Sequence, residues 1–132
     1  MFGSWVKGDK YCYFSDRQGT ISRYHWTNIR DDFLAREIGN VFLTEEEAQF
    51  EVERRKVEAI LLKYDRRNFK YNKNNYVIAY NWSLHNIDFD CYTSAQYQGI
   101  IYFDSWELCK KTIEEAGEDN IKKYLFEVMD NE

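Results

Sequence analysis

The chain has 132 residues, of which 44% are hydrophobic and 31% charged, and this balance predicts one folded domain with a substantial core. Its formal net charge of −5 argues against a general nucleic-acid binder. No apolar run approaches the length of a membrane span, and charged residues already occur among the first ten, so we expect a cytoplasmic protein that does not contact a membrane.

The amino-terminal third predicts a β-hairpin. Residues 11–15 and 20–26 have the composition of strands, and Gly19 supplies the positive φ that a short hairpin loop requires. Residues 1–7 fit a short strand or an aromatic plug. Residues 28–38 fit either a short helix or a loop, so the pattern leaves this segment open.

The next stretch predicts a short strand and then a long helix. Val41, Phe42 and Leu43 form the apolar strand. Thr44 followed three residues later by Glu47 is a capping box, in which the Thr hydroxyl accepts from the amide of residue 47 and the Glu side chain returns to the Thr amide. This signal predicts a helix over residues 45–64.

The predicted helix has two apolar faces when its residues are placed at 100° intervals. One face consists of Ala48, Val52, Ala59 and Leu62. The opposite face consists of Phe50, Val57, Ile60, Leu61 and Tyr64. Two interpretations follow: both faces lie inside the domain, or the second face is a surface for a partner or for a second copy of the chain.

The second half of the chain repeats this arrangement. Residues 76–82 and 87–92 predict a pair of strands, and residues 100–103 predict a third strand that leads into a helix from Ser105. A final helix is expected over residues 119–129.

The two halves match at an offset of 60 residues. Gly39 corresponds to Gly99, and each glycine precedes an apolar strand. The capping residue Thr44 corresponds to Asp104, and each has a glutamate three residues later. The match suggests two strand-strand-strand-helix units, although this sequence of elements is common enough to arise by chance.

These elements predict an α+β fold in which antiparallel β-hairpins pack on a long central helix, with further helices at the carboxyl end. We expect a single domain over residues 1–132. Within it, half-units over residues 1–64 and 74–132 would be joined by a basic loop over residues 65–73.

Catalytic and metal-binding motifs are missing from the sequence. His85, Asp88 and Asp90 resemble a metal set, but strand alternation explains them by directing both aspartates outward. The three cysteines are odd in number and far apart, which predicts reduced, mostly buried thiols: Cys12, Cys91 and Cys109. We therefore expect no enzyme activity, no metal and no cofactor.

The predicted loop after the long helix is basic and aromatic. From Lys63 to Lys73 it carries five Lys or Arg residues against Asp65. Its residues have the chemistry of a single-stranded nucleic-acid site: Arg66, Arg67, Phe69, Lys70, Tyr71 and Lys73. The alternative, which the acidic composition favours, is a solvated loop whose aromatic residues pack under the domain.

Acidic residues dominate the remaining surface and suggest a cationic protein partner, because carboxylates compete with phosphate for the grooves of nucleic-acid-binding enzymes. Simple solubility is the alternative explanation. The residues expected to bind a partner combine acidic positions with the second apolar face: Glu46, Glu51, Glu53, Phe50, Val57, Leu61 and Tyr64.

One stretch carries a family resemblance. Residues 39–48, Gly-Asn-Val-Phe-Leu-Thr-Glu-Glu-Glu-Ala, together with the aromatic hairpin before them, resemble small accessory proteins of phages and prophages of low-GC Gram-positive bacteria. The likeness extends to further residues, namely Trp5, Gly8, Tyr11, Gly99, Tyr102, Phe103, Ser105 and Glu107. The resemblance covers about the first 62 residues well and the rest loosely, and it implies no catalytic residue.

The resemblance implies an accessory phage protein located in the cytoplasm of an infected bacterium. By analogy with small acidic phage proteins, it suggests an inhibitor of a host defence nuclease such as a CRISPR effector, an anti-CRISPR protein. Two alternatives stay open from the sequence: a structural or assembly protein of the virion or its replication apparatus, and a single-stranded nucleic-acid binder.

Overall fold

A computed structural model describes residues 11–26, 30–65 and 68–129 of the chain, with Tyr11 described by its backbone alone. The elements are β1 (Tyr11–Ser15), β2 (Ile21–His25), α1 (Arg30–Glu37), α2 (Glu45–Tyr64), β3 (Asn75–Asn81), β4 (Asn86–Tyr92), α3 (Trp106–Ala116), α4 (Glu118–Asn120) and a π-helical turn (Ile121–Leu125). With 42% helix and 22% strand in two small antiparallel sheets, the structure confirms the predicted α+β class. The predicted strand or plug at residues 1–7 lies outside the described residues.

The chain divides into two compact units, Met1–Glu53 (unit 1) and Arg54–Glu132 (unit 2). The division falls inside α2, whereas the sequence suggested half-units separated by the loop at residues 65–73. Unit 1 carries ten acidic and six basic residues, a net charge of −4, and unit 2 carries thirteen and twelve, a net charge of −1.

Unit 1 begins with the predicted hairpin, in which β1 pairs antiparallel with β2. The carboxylate of Asp16 closes the turn by accepting from the amides of Gln18 and Thr20 at 2.8 and 3.0 Å. The buried core of unit 1 comprises Cys12, Trp26 and Val41. The ambiguous segment after the hairpin is helical, since α1 occupies Arg30–Glu37.

Unit 2 contains the second hairpin, in which β3 pairs antiparallel with β4. On β4, Ile87 and Phe89 are half-buried while Asp88 and Asp90 are exposed, as strand alternation predicted. The largest core cluster lies in this unit and is built from six buried residues: Val57, Leu61, Phe103, Cys109, Ala116 and Ile121.

Three local predictions need correction. The strands expected at residues 41–43 and 100–103 are reduced to single bridges at Phe42 and Phe103. The predicted cap Asp104 is displaced by Ser105, whose hydroxyl accepts from the amide of Leu108 at 3.2 Å. The cap lies one residue later because four residues lead from Gly99 to the bridge at Phe103, against three from Gly39 to the bridge at Phe42.

The final helix is also shorter than predicted. The α-helical part, α4, is only three residues long, and the π-helical turn follows it directly. In this turn the amide of Phe126 donates to the carbonyl of Ile121 at 3.3 Å. The left-handed φ of +53° at Glu127 then ends the turn, and the amide of Val128 donates to the carbonyl of Lys122 at 3.1 Å. The apolar pattern of residues 119–129 therefore describes two short helical turns and an irregular end.

Candidate partner-binding surfaces

The two apolar faces of α2 are used at different ends of the helix. In unit 1 the helix buries Ala48 and Val52, whereas in unit 2 it buries Val57 and Leu61, and Ala59 is exposed. The helix can do this because residues nine apart, such as Ala48 and Val57, lie on opposite sides of it. The sequence showed that α2 has two apolar faces, but it did not show that the fully buried residues change from the first face to the second along the helix.

Four of the five residues of the second face thus belong to the core of unit 2 or pack against it. Val57 and Leu61 belong to the unit 2 core, and Tyr64 packs against it while its hydroxyl donates to the carboxylate of Glu115 at 3.1 Å. Lys63 binds the same carboxylate at 3.0 Å, which raises the pKa of Lys63 and lowers that of Glu115. Phe50 is half-buried in unit 1.

The acidic residues predicted to bind a partner all lie on the first half of α2. Glu46 is exposed, and Glu51 and Glu53 are half-buried. The amide nitrogen of Gln49 donates to Glu53 at 3.0 Å. Residues 37–53 contain six carboxylates and not one Lys or Arg, so this segment carries negative charge alone.

Exposed apolar side chains lie within this acidic segment and directly before it, and sequence reasoning missed them. Leu34 and Ile38 lie one helical turn apart at the end of α1, and Leu43 precedes the start of α2. Ile38 is 74% exposed and the other two are about half exposed, at 43% and 48%. The signal in the sequence was an isoleucine directly before Gly39, at a position where a helix ends in the left-handed region.

Hydrogen bonds fix the turn that presents these side chains. Gly39 ends α1 with a φ of +73°, and Asn40 is bound to β1 through its side chain. The Asn40 amide oxygen accepts from the backbone amide of Ser15 at 3.0 Å, and its nitrogen donates to the Ser15 carbonyl at 2.8 Å. The hydroxyl of Thr44 then caps α2 by accepting from the amide of Glu47 at 3.1 Å. We call this surface the acidic–apolar corner, defined by Leu34, Glu37, Ile38, Leu43, Glu45 and Glu46.

The basic loop of unit 2 divides into exposed and packed residues. Lys70, Tyr71 and Lys73 are exposed, whereas Phe69 is half-buried with its ring 5.4 Å from the ring of Tyr102. The predicted residues Arg66 and Arg67 lie outside the described part of the chain. Packing of Phe69 under the domain matches the solvated-loop alternative, while the exposed Tyr71 matches the binding alternative.

A buried asparagine holds this loop in one conformation. The Asn75 side chain is fully buried, and its oxygen accepts from the amide of Lys70 at 3.0 Å. Its nitrogen donates to the carbonyls of Lys70, Lys73 and Tyr92, each at 2.9 Å. A run of asparagines signalled a loop in the sequence, but only the structure distinguishes Asn75 from its neighbours.

The buried thiols are poor nucleophiles. Burial and the charge of Asp32 raise the pKa of Cys12 to about 11, and burial alone raises the pKa of Cys109 to about 12. Tyr24 lies opposite Cys12 across the hairpin, and burial raises its pKa to about 12. A thiol that stays protonated at neutral pH cannot attack an electrophile.

Among the described residues, no group of three or more His, Cys, Asp and Glu side chains is arranged to bind a metal ion. Asp88 and Asp90 each accept from the amide of the residue that follows, at 2.8 Å. The amide of Ile87 lies 3.4 Å from the Glu118 carboxylate and donates to it. These three amides alternate along β4, so the carboxylates cover the strand edge, a known protection against pairing with other chains.

Unit 2 also contains a cavity of about 260 Å³. Its lining is mainly apolar and includes Leu61, Phe103 and Phe126, and the ion pair of Arg54 and Glu58 contributes the polar side. This volume lies just below the usual range of about 300–1,000 Å³ for small-molecule sites.

Comparisons with protein-family models, curated proteins and solved structures gave no match to this chain. Within the described segments, none of the helices combines the length and the apolar character needed to cross a membrane.

Proposed function

We propose that the protein is a non-enzymatic binding protein that attaches to a positively charged protein through the acidic–apolar corner. One observation supports this most directly: Ile38 is 74% exposed next to a segment that has six carboxylates and no basic residue. Stable interfaces place apolar side chains at their centre and polar or charged groups at their rim. Carboxylates around an apolar centre suit a cationic surface, because complementary charge speeds association and selects the partner.

The partner class follows from the charge and from the resemblance to phage accessory proteins. Protein surfaces with extended positive charge are commonly those that bind nucleic acid. We infer that the corner occupies such a surface on a host defence nuclease, a CRISPR effector being one example. Inhibition would then result from competition with the nucleic acid, and no chemical step by this protein is required.

The test has two stages. Tagged protein immobilised on resin captures proteins from lysates of low-GC Gram-positive bacteria that encode CRISPR systems, and the captured nuclease is then purified and assayed for cleavage. We expect stoichiometric inhibition that is relieved by excess nucleic acid or heparin. Capture without inhibition, or inhibition insensitive to both competitors, would contradict the competitive mechanism.

Matched variants identify the surface. Ile38→Ser removes the apolar centre and should weaken inhibition about ten-fold or more, because a central apolar anchor carries a large share of binding energy. The triple variant Glu37→Gln/Glu45→Gln/Glu46→Gln should mainly slow association and reduce its dependence on salt. Its control removes three carboxylates from exposed positions of unit 2: Glu107→Gln, Glu114→Gln and Asp119→Asn. Equal loss in the control would show that only the total charge matters.

Self-assembly is a second candidate, favoured by the hairpin turn of unit 2. Trp82 and Leu84 are 54% and 66% exposed there, and the Asn81 side chain fixes the turn by accepting from the amides of Ser83 and Leu84 at 3.0 and 3.1 Å. An assembly protein should show a mass by light scattering that rises with concentration and falls in Trp82→Ala. A constant monomer mass at high concentration would reject this candidate.

A further inference from the structure

We propose that unit 2 binds single-stranded nucleic acid, in addition to and independently of the proposed function of unit 1. The site is a surface that we call the lysine–tyrosine platform, defined by Lys70, Tyr71, Lys73 and Tyr97. All four residues are exposed, and the two tyrosines are 69% and 50% exposed. Exposed aromatic rings beside cationic side chains provide the two contacts that single strands use, base stacking and phosphate binding.

The loop that carries the first three residues is preorganised. The Asn75 side chain binds the backbone of Lys70 and Lys73 on either side of Tyr71, at 2.9–3.0 Å. Between them, Asn72 has a left-handed φ of +60°, and its amide donates to the carbonyl of Thr93 at 2.9 Å. Because the backbone is fixed, the loop loses little entropy when Tyr71 receives a base.

A chain of contacts brings Tyr97 to the same part of unit 2. The carbonyl of Tyr92 accepts from Asn75, and the ring centroids of Tyr92 and Tyr97 are 4.8 Å apart. The amide of Tyr97 donates to the hydroxyl of Tyr102 at 2.8 Å. Since the ring of Tyr102 also contacts Phe69, two routes connect the segment of Tyr97 to the loop.

The positive charge that would attract phosphate is confined to one segment of the acidic chain. Residues 63–73 carry five basic residues and one acidic residue, although the whole chain has a net charge of −5. Asp90 acts on Tyr92, the neighbour of Tyr97: burial first, and then the charge and hydrogen bond of Asp90, raise the pKa of Tyr92. At a Debye length of about 8 Å in physiological salt, phosphate bound by Lys70 and Lys73 senses these two lysines more than any charge that lies beyond this length.

Single strands fit this surface better than duplexes or acidic peptides. A duplex keeps its bases stacked internally and offers only phosphate, and an acidic peptide has no ring to stack on Tyr71 or Tyr97. Stacking also accepts any base, so we expect little sequence preference. Two lysine–phosphate contacts predict a slope of about −1.4 for the logarithm of affinity against the logarithm of salt concentration.

Fluorescence anisotropy with a labelled oligothymidine of twelve nucleotides, at low salt, tests the proposal on the full-length protein. We expect binding that weakens roughly ten-fold or more in Tyr71→Ala and is retained in Tyr71→Phe, which keeps the ring. Lys70→Ala/Lys73→Ala should weaken binding and make the affinity less dependent on salt concentration. The control Lys110→Ala/Lys111→Ala removes the same charge from exposed positions of α3 and should change the affinity less than two-fold.

Three results would overturn the proposal. The first is no binding by the wild type at low salt, and the second is equal affinity for the duplex of the same length. The third is unchanged binding in Tyr71→Ala with equal displacement by an oligoglutamate peptide, which would show a purely ionic surface for acidic polymers. Ile38→Ser, in unit 1, should leave oligonucleotide binding unchanged, so failure here and failure of the proposed inhibitor function are separable.

Discussion

Tyr76 and Phe103 exchange two backbone hydrogen bonds, of 3.0 Å from the Tyr76 amide and 2.8 Å from the Phe103 amide. Tyr13 and Phe42 do the same in unit 1, at 3.0 and 2.9 Å. In both units, a tyrosine of the first hairpin strand is therefore bridged, antiparallel, by a phenylalanine that precedes a helix. The two units share this construction although their hairpins differ in length.

In both units the helix cap follows the bridged phenylalanine after the same number of residues. Thr44 lies two residues after Phe42, and Ser105 lies two residues after Phe103. The structural repeat thus has an offset of 61 residues at the bridge and the cap, against 60 at Gly39 and Gly99. A gene duplication stays a hypothesis, but the shared backbone bonds give it a specific register.

The cap of α3 provides the first prediction. Ser105→Ala should lower the free energy of unfolding by about 1 kcal/mol, because the amide of Leu108 loses its acceptor. Asp104→Ala, which removes the residue that the sequence favoured as the cap, should cost clearly less. Urea unfolding followed by circular dichroism measures both, and a larger loss for Asp104→Ala would contradict the observed cap.

The change of buried face along α2 provides the second prediction. Leu61→Ala should destabilise unit 2 by about 2–5 kcal/mol, because Leu61 is only 4% exposed in the core. Its neighbour Leu62 is half-buried, so Leu62→Ala is a matched control that should cost much less. Similar losses from the two variants, measured by urea unfolding, would mean that the second face is not the core face in this half of the helix.

The buried amide of Asn75 provides the third prediction. Asn75→Ala leaves one backbone amide and three carbonyls without this partner and should cost about 2–4 kcal/mol. The exposed neighbour provides the control, since Asn74→Ala should cost about 0.5 kcal/mol or less. Hydrogen exchange of the loop amides is the second readout. Exchange at the Lys70 amide should be faster in Asn75→Ala than in the wild type, and unchanged in Asn74→Ala.

The cysteines provide the fourth prediction. Cys91 is half-buried, whereas Cys12 and Cys109 are fully buried. Iodoacetamide at pH 8 should therefore modify Cys91 first in the folded protein, and the other two only after unfolding in urea. Peptide mapping by mass spectrometry separates the three sites. Labelling of Cys109 as fast as Cys91 under native conditions would contradict its burial.

The raised thiol pKa values also predict a loss of stability in alkali. Above pH 9 the unfolded chain releases the Cys109 proton, while the folded protein keeps it until its pKa of about 12. The contribution of this thiol is thus complete below about pH 9 and declines as the pH rises toward 12, by up to about 1.4 kcal/mol per pH unit. Cys109→Ala should flatten the decline in unfolding free energy between pH 9 and 10.5, and an unchanged slope would contradict the raised pKa.

Elements whose signals are local could be predicted from the amino-acid sequence alone. Alternation and turn residues located both hairpins, and the capping signal at Thr44 located the start of α2 to the residue. The α+β class follows from these elements. Such signals depend on bonds between residues close in the chain, so a linear pattern contains them.

Which side chains are buried became clear only from the three-dimensional structure. Val57 and Leu61 have the pattern of a partner face and are core residues, while Ile38 belongs to no apolar pattern and is 74% exposed. Asn75 has the sequence context of any loop asparagine but binds backbone groups as distant as Tyr92. Burial depends on elements that meet from far apart in the chain, and helical periodicity shows that a face is apolar without showing what packs on it.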